Sequence, residues 1–258
     1  MIFYLFFIII IFILILIQII RIIIGYRSSD RGSLTALASP NNIYYPSSNI
    51  HLEVKLYLIH LSRSNDRITH IDEQQSKTSF IINLFNAIDA QDLNKSDLIH
   101  SNTVDVNYAN YSRVEHYACF LSHAKLINQI GNNDNKYSII FEDDFNILTD
   151  SFDQIIINAL NTLELMNYDF DIIYVGNMYN IKGDHLINDI YIAPNYNITM
   201  ECYIVNNKNA KKIYSLLNYI DEPIDFKLLT LRKLNLLKCL IIYPQIVTQN
   251  RELISTIG

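Results

Sequence analysis

Tyr137-Ser-Ile-Ile-Phe-Glu-Asp-Asp144 is an apolar run that stops abruptly on three consecutive carboxylates. A β-rich apolar run of this length reads as a buried strand, and the acidic residues mark where it leaves the core. Three like charges side by side repel one another, so the arrangement is costly unless a cation relieves it. Hard divalent ions such as Mg2+ and Mn2+ prefer carboxylate oxygens and bridge protein to substrate phosphates. The stretch therefore points to a metal held by Glu142, Asp143 and Asp144, and to a phosphorylated substrate. The alternative is a solvated acidic turn that holds nothing.

On either side, strand-like and helix-like segments alternate. Residues 54–61 read as a strand, Ser62-Arg63-Ser64-Asn65-Asp66-Arg67 as a turn opening a helix, and 80–85 as a second strand ending in Asn86-Ala87-Ile88-Asp89. Residues 91–111 read as a polar loop. Ser112 and Glu115 have the Ser-x-x-Glu spacing of a capping box, which predicts a helix running to Ile130 before Gly131. Downstream, helices are expected at 151–166 and 210–217 and after Pro223-Ile224-Asp225. Strands are expected at 170–175, ending at Gly176, and at 198–205 and 237–243. This alternation predicts an α/β domain with a mostly parallel sheet flanked by helices. Ligands of such sheets bind at the carboxyl ends of the strands, where Asp89, Glu142, Asp143, Asp144 and Gly176 would gather.

Residues 1–20 are apolar apart from Gln18 and the amphipathic Tyr4, and no charge precedes Arg21. About 20 apolar residues in a helix span a hydrocarbon core of ~30 Å. A cleaved signal peptide would have a basic start, a shorter apolar stretch and small residues at the cleavage site, and none of these is present. The expectation is a single-pass membrane protein: a transmembrane signal anchor at 1–25, a stem at 26–52 rich in Ser, Pro and Asn, and a catalytic body at 53–258. Arg21, Arg27 and Arg31 follow the apolar run, so the positive-inside rule slightly favours a cytosolic body, with a luminal one as the alternative. Cys119, Cys202 and Cys239 lack metal-site spacing and read as buried reduced thiols, which agrees with that side. Asn94, Asn110 and Asn197 match the N-glycosylation pattern, as an asparagine-rich chain does by chance.

A net charge of −6 argues against nucleic acid as a partner. It also means that an anionic substrate needs local help from a metal or from basic side chains. No glycine-rich dinucleotide fingerprint, no P-loop and no Gly-x-Ser-x-Gly elbow occurs in the chain. Neither His-x-x-x-His nor Cys-x-x-Cys suggests zinc.

What remains is a series of short patterns in a fixed order. Leu58-Ile-His-Leu-Ser-Arg-Ser-Asn-Asp-Arg67, Phe85-Asn-Ala-Ile-Asp89, Ala118-Cys-Phe-Leu-Ser-His123, Ile140-Phe-Glu-Asp-Asp144 and Asp171-Ile-Ile-Tyr-Val-Gly176 come first. Ala210-Lys-Lys, Pro223-Ile-Asp225 and Pro244-Gln-Ile-Val-Thr-Gln249 with Ser255 follow. The series resembles glycosyltransferase family 25, the lipopolysaccharide and procollagen galactosyltransferase group, from Lys55 to the end of the chain.

The resemblance implies a GT-A-like, Rossmann-like fold and a nucleotide-sugar donor, commonly UDP-galactose. It also implies a divalent metal, Mn2+ or Mg2+, inversion at the sugar carbon, and a glycan or protein acceptor. Carried over by position, Glu142, Asp143 and Asp144 match the acidic metal motif, and Arg63 and Arg67 the basic residues near the nucleotide. His123 matches the histidine of the Leu-Ser-His helix, and Asp225 the aspartate after the Pro-Ile pair. Two positions depart from the family habit: His60 stands where Asn is usual, and Ala118 precedes Cys119 where Gly is usual. A histidine at position 60 still offers a hydrogen bond to a base or ribose. His60, Arg63, Arg67, Asp89, His123 and Gly176 are thus the expected donor-binding residues.

The chemistry asks for the same groups. A metal on Glu142 and Asp144 would stabilise charge on a leaving diphosphate, and a carboxylate across the sugar, Asp225, would take the acceptor proton. Asp225 has the alternative of a helix cap, His123 of a satisfied core histidine, and Asp89 of a turn cap. Arg63 and Arg67 have that of solvated helix-start residues, and Gly176 that of a strand end. A metal-dependent phosphohydrolase would need further downstream ligands that are not evident. A catalytically inactive, membrane-anchored relative that only binds is the other alternative.

Overall fold

The computed structural model describes residues 52–176, 180–196 and 200–253. The expected anchor at 1–25, all of the stem but Leu52, Asn197 and Ser255 lie outside the described residues. Among the described residues, no helix is long and apolar enough to cross a membrane.

The first half supplies β1 (Val54–His60), α1 (Ile68–Gln75), β2 (Ile82–Asn86), α2 (Lys95–His100), α3 (Val106–Ala109), α4 (Val114–Ile130) and β3 (Tyr137–Glu142). After it come β4 (Phe145–Ile147), α5 (Phe152–Leu165), β5 (Ile172–Tyr174), β6 (His185–Ile187), β7 (Ile190–Ile192) and β8 (Cys202–Asn206). The chain closes with α6 (Ala210–Leu216), α7 (Ile224–Lys233), β9 (Cys239–Ile242) and β10 (Val247–Gln249).

Eight strands form one sheet in the order β2-β1-β3-β8-β5-β9-β7-β6, while β4 and β10 pair as a separate ribbon. All strands of the large sheet share one direction except β8 and β7. The architecture is mixed α/β with a large, mostly parallel sheet between helices.

Period-two alternation divides the apolar residues between the two faces. Tyr57, Ile59, Ile140, Tyr203 and Ile241 pack under α4, α6 and α7. Leu56, Leu58, Ile139, Phe141 and Ile204 pack against α1, α5 and β4. A strand buried on both faces must be apolar almost throughout, as β3 is until Glu142.

Three local expectations are corrected. The stretch 91–111 is not simply a loop, because Asn94 caps α2 through the Ser96 amide and Asp105 caps α3 through the Asn107 and Tyr108 amides. The capping box at Ser112 does not form. The cap of α4 is Arg113, and the Ser112 hydroxyl instead donates to the Tyr108 carbonyl at 2.6 Å. The four strands β4, β6, β7 and β10 were not expected, each being only three residues long.

Candidate active site

β1 pairs in parallel with both β2 and β3, so the three strands end side by side. The loops that follow them, together with one face of α4, enclose a cavity. Arg63 stands after β1, Ala87 and Ile88 after β2, and Glu142, Asp143 and Asp144 at the end of β3. Glu115, Ala118, Cys119, Ser122 and His123 face it from α4. Ser122 anchors the β2 loop to the helix, because its hydroxyl accepts from the Ile88 amide at 2.8 Å and donates to the Ala118 carbonyl.

The three carboxylates have different partners. Asp143 is bracketed by His60, with Nδ1 3.1 Å from Oδ2, and by Arg67, with Nη1 3.5 Å from Oδ1. Both partners are buried, Arg67 almost completely. Arg67 is therefore a counter-charge set beneath the acidic turn rather than a solvated helix-start residue. Glu142 accepts from His123, whose Nε2 lies 3.2 Å from Oε1. The other ring nitrogen of His123 meets the Tyr203 hydroxyl at 2.8 Å, so this histidine is both buried in the core and tied to the acidic cluster.

Asp144 is the least relieved. The Gln249 amide donates to Oδ2 at 2.9 Å, whereas Oδ1 is buried and has no hydrogen-bond partner among the described residues. Burial first, and then Glu142, push the carboxyl up to about 6; Asp143 adds to the rise, while Gln249 and Arg67 oppose it. A buried oxygen without a donor is what a cation would satisfy. Glu142 and Asp144 thus fit a hard divalent ion, while Asp143 is already compensated.

Arg63 is half exposed at the cavity mouth and donates through Nε to Asp89 at 2.7 Å. That hydrogen bond, with help from the Gln91 amide, lowers the Asp89 pKa. Asp89 also caps the short 3-10 turn Ala90–Asp92, so it positions Arg63 and the β2 loop together. Asp225 sits in the first turn of α7, where Pro223 rather than Asp225 is the cap. Burial and the neighbouring Glu142 raise its pKa, while the Phe226 amide and His123 pull it down. Asp225 thus feels the charge of Glu142 but is not among the residues lining the cavity.

Residues 53–228 match the family described as glycosyltransferase family 25 (LPS biosynthesis protein). The chain belongs to this family. It is a glycosyltransferase, and the family implies a nucleotide-sugar donor and an acceptor. No curated protein matches the sequence.

Among solved structures, a glycosyltransferase involved in glycosylation of the major capsid of PBCV-1 is similar with a TM-score of 0.46 at 9% identity. That match covers 78% of this chain and 94% of that one. The apo-form glycosyltransferase GlyE of Streptococcus pneumoniae TIGR4 is similar with a TM-score of 0.39 at 9% identity, over 80% of this chain and 55% of that one. At such scores the shared outline says nothing about substrate. The stretch matching the family runs from the residue before β1 into α7 and includes every site residue named above except Gln249.

Two residues at this family 25 site escaped the sequence reading. Glu201, just before β8, is buried, and its carbonyl accepts from the Glu142 amide. Burial, with Glu142 and Asp144 nearby, pushes its carboxyl up to about 8. A Cβ at Gly176 would lie 2.6 Å from that carboxylate, so Gly176 makes room for Glu201 and stands outside the cavity lining. The signal was a carboxylate inside a predicted apolar strand. Cys119, expected in the core, is half buried and lines the cavity. Its signal was the Cys-x-x-x-His spacing to His123 on a predicted helix.

Proposed function

We propose that this glycosyltransferase is metal-dependent and inverting, and that it moves a hexose, galactose from UDP-galactose, to a hydroxyl of a glycan or protein acceptor. The observation that carries the reading is the buried Asp144 Oδ1, without a hydrogen-bond partner among the described residues, beside Glu142 at the end of a strand whose loop opens a cavity. Glu142 and Asp144 would hold Mn2+ or Mg2+. Such an ion supplies electrostatic stabilisation of charge on a leaving diphosphate without changing protonation.

The chain's own residues divide the remaining work. Asp143 with His60 and Arg67 holds the acidic turn rigid, so Glu142 and Asp144 keep their positions as charge changes nearby. Arg63, oriented by Asp89, offers a guanidinium at the cavity mouth that suits a diphosphate or nucleotide. His123, held by Tyr203, orients the Glu142 carboxylate. Asp225 takes the proton of the acceptor hydroxyl, and its raised pKa brings its basicity closer to neutral pH. His60, unusual for the family, has a task here as the partner of Asp143, which argues against a decayed, merely binding relative.

The apolar run at 1–20, followed by Arg21, Arg27 and Arg31, supports anchoring to a membrane with the body on the cytosolic side. A glycosidase-sensitive mass shift in a eukaryotic cell, lost when Asn94, Asn110 and Asn197 are replaced, would overturn that side.

The test of the chemistry is a donor screen of the full chain after chelation, following nucleoside diphosphate release. Turnover with UDP-galactose that returns on adding Mn2+ is the expected result. Equal turnover without metal, or none with any nucleotide sugar, would sink the proposal.

A further inference from the structure

We infer that Cys119, His123 and Glu142 form a second, thiophilic cation site of the Zn2+ class, which shares Glu142 with the carboxylate site. The ligand atoms of these three residues all lie within 4.8 Å of one another. Cys119 and His123 stand one turn apart on the same face of α4, and Glu142 meets them from the end of β3. Secondary structure thus builds the trio from two rigid elements.

The distances suit a small tetrahedral ion. Nitrogen and oxygen ligands ~2.0–2.1 Å from zinc sit about 3.3 Å apart in a tetrahedron. His123 Nε2 and Glu142 Oε1 are 3.2 Å apart. The Cys119 sulfur would settle about 3.6 Å from each, given a zinc–sulfur bond of ~2.3 Å. Three protein ligands leave a fourth position open to the cavity.

The surroundings favour the ion as well. Tyr203, fully buried, fixes His123 through Nδ1 at 2.8 Å, the outer contact that orients a ligating imidazole. With zinc bound, the ring proton of neutral His123 resides on Nδ1 and is donated to the Tyr203 oxygen, so the Nε2 lone pair faces the metal. The thiol proton of Cys119 leaves to solvent. Burial and the carboxylates of Glu142, Asp225 and Asp144 keep the free thiol protonated and inert, yet the same negative charges attract a cation. A thiolate and an imidazole prefer Zn2+ to Mn2+ or Mg2+, whereas Glu142 and Asp144 offer oxygen alone.

The two sites share the charge of Glu142, so an ion held at one weakens the hold of the other. Zinc at Cys119 and His123 would loosen the diphosphate-side ion and slow transfer, a consequence that rests on the proposed metal-dependent reaction. Zinc binding itself rests on the trio alone.

The test uses Co2+ as an optical probe on the full, reduced chain after chelation. One Co2+ per chain with a sulfur-to-cobalt charge-transfer band, displaced by Zn2+, is expected. Cys119→Ser should abolish the band and weaken Zn2+ binding at least about tenfold. Tyr203→Phe should keep the band but weaken binding by about 10–100-fold. Zinc inhibition that eases as Mn2+ rises, and that needs at least about tenfold more zinc in Cys119→Ser relative to its own zinc-free rate, would support the shared Glu142. A saturated Co2+ titration with no thiolate band, or a band surviving in Cys119→Ser, would overturn the site whatever the transfer assay shows.

Discussion

The two ends of β3 put acids in opposite circumstances. Around Tyr137 three acids face amines: Lys136 lies 2.5 Å from Glu164, Lys208 2.7 Å from Asp169, and Lys212 2.8 Å from Asp171. Asp169 is lowered chiefly by its hydrogen bond from Lys208, and Glu164 is lowered in spite of its burial by bonds from Lys136 and Tyr137. Around Glu142, a few residues along the same strand, Asp144, Glu201 and Asp225 are all raised, burial being the first cause of each. Acids matched by lysines hold a fold together. Acids crowded against each other with too few cations mark a candidate functional site.

The largest break in this comparison should come from Asp144→Asn. It keeps the size and an acceptor for Gln249 but removes the charge a metal would meet. Metal-dependent turnover should fall more than about 1,000-fold, the scale of several kcal/mol of transition-state stabilisation. The metal-free melting temperature at neutral pH should not fall, because a crowded buried charge has gone. Retained Mn2+-dependent turnover would remove the central assignment.

Next in size is Arg67→Met, which leaves buried Asp143 with His60 alone. Breaking a buried pair from one side costs about 3 kcal/mol or more. Urea unfolding showing under about 1 kcal/mol would mean that Arg67 does not compensate the acidic turn.

Much of this contrast was legible in the sequence. An apolar strand ending in Glu142-Asp143-Asp144 pointed to the crowded end, because three adjacent carboxylates repel one another where the strand leaves the core. The order of short patterns supplied the family. Partners were not legible, since Asp143 meets residues 83 and 76 positions earlier, at His60 and Arg67. The family pattern implies donor contacts for both, and the parallel pairing of β1 with β3 also turns them towards the acid. Glu201 was hidden by its apolar neighbours. β8, which it precedes, runs against its neighbours, a reversal that no local pattern encodes. The capping box at Ser112 failed although its spacing was right, because the serine hydroxyl bonds the Tyr108 carbonyl four residues back and the Tyr117 hydroxyl five ahead instead.

Asp225→Asn separates chemistry from binding at the crowded end. It retains shape and amide contacts but cannot accept a proton, so kcat should fall about 100-fold with little change in donor affinity. Unchanged kcat would leave Asp225 a helix-start acid and nothing more.

Glu201→Gln sharpens the contrast through pH. A carboxyl raised from 4.5 to about 8 contributes stability that is full below 4.5 and is lost as pH rises through about 8. Metal-free protein should therefore lose about 2 kcal/mol between about pH 6 and about pH 8 on account of this residue, and Glu201→Gln should flatten that slope. An unaltered slope would show that Glu201 does not titrate where its burial puts it.

The smallest effect belongs to the other end of the strand, and it completes the contrast. Lys136 is half exposed, so its pair with Glu164 is screened by water and salt. Lys136→Met leaves Glu164 its hydrogen bond from the Tyr137 hydroxyl, so no acid is stranded. The loss should stay under about 1 kcal/mol and shrink further at high salt. The sign with pH is opposite to that of Glu201. Glu164 is held below its ordinary pKa, so its contribution is present above 4.5 and fades as pH falls through its lowered value. Lys136→Met should reduce that acid-side loss without touching the slope near neutrality. A cost equal to that of Arg67→Met would mean that both ends of β3 are built alike, and the crowded end would lose its claim to be a site.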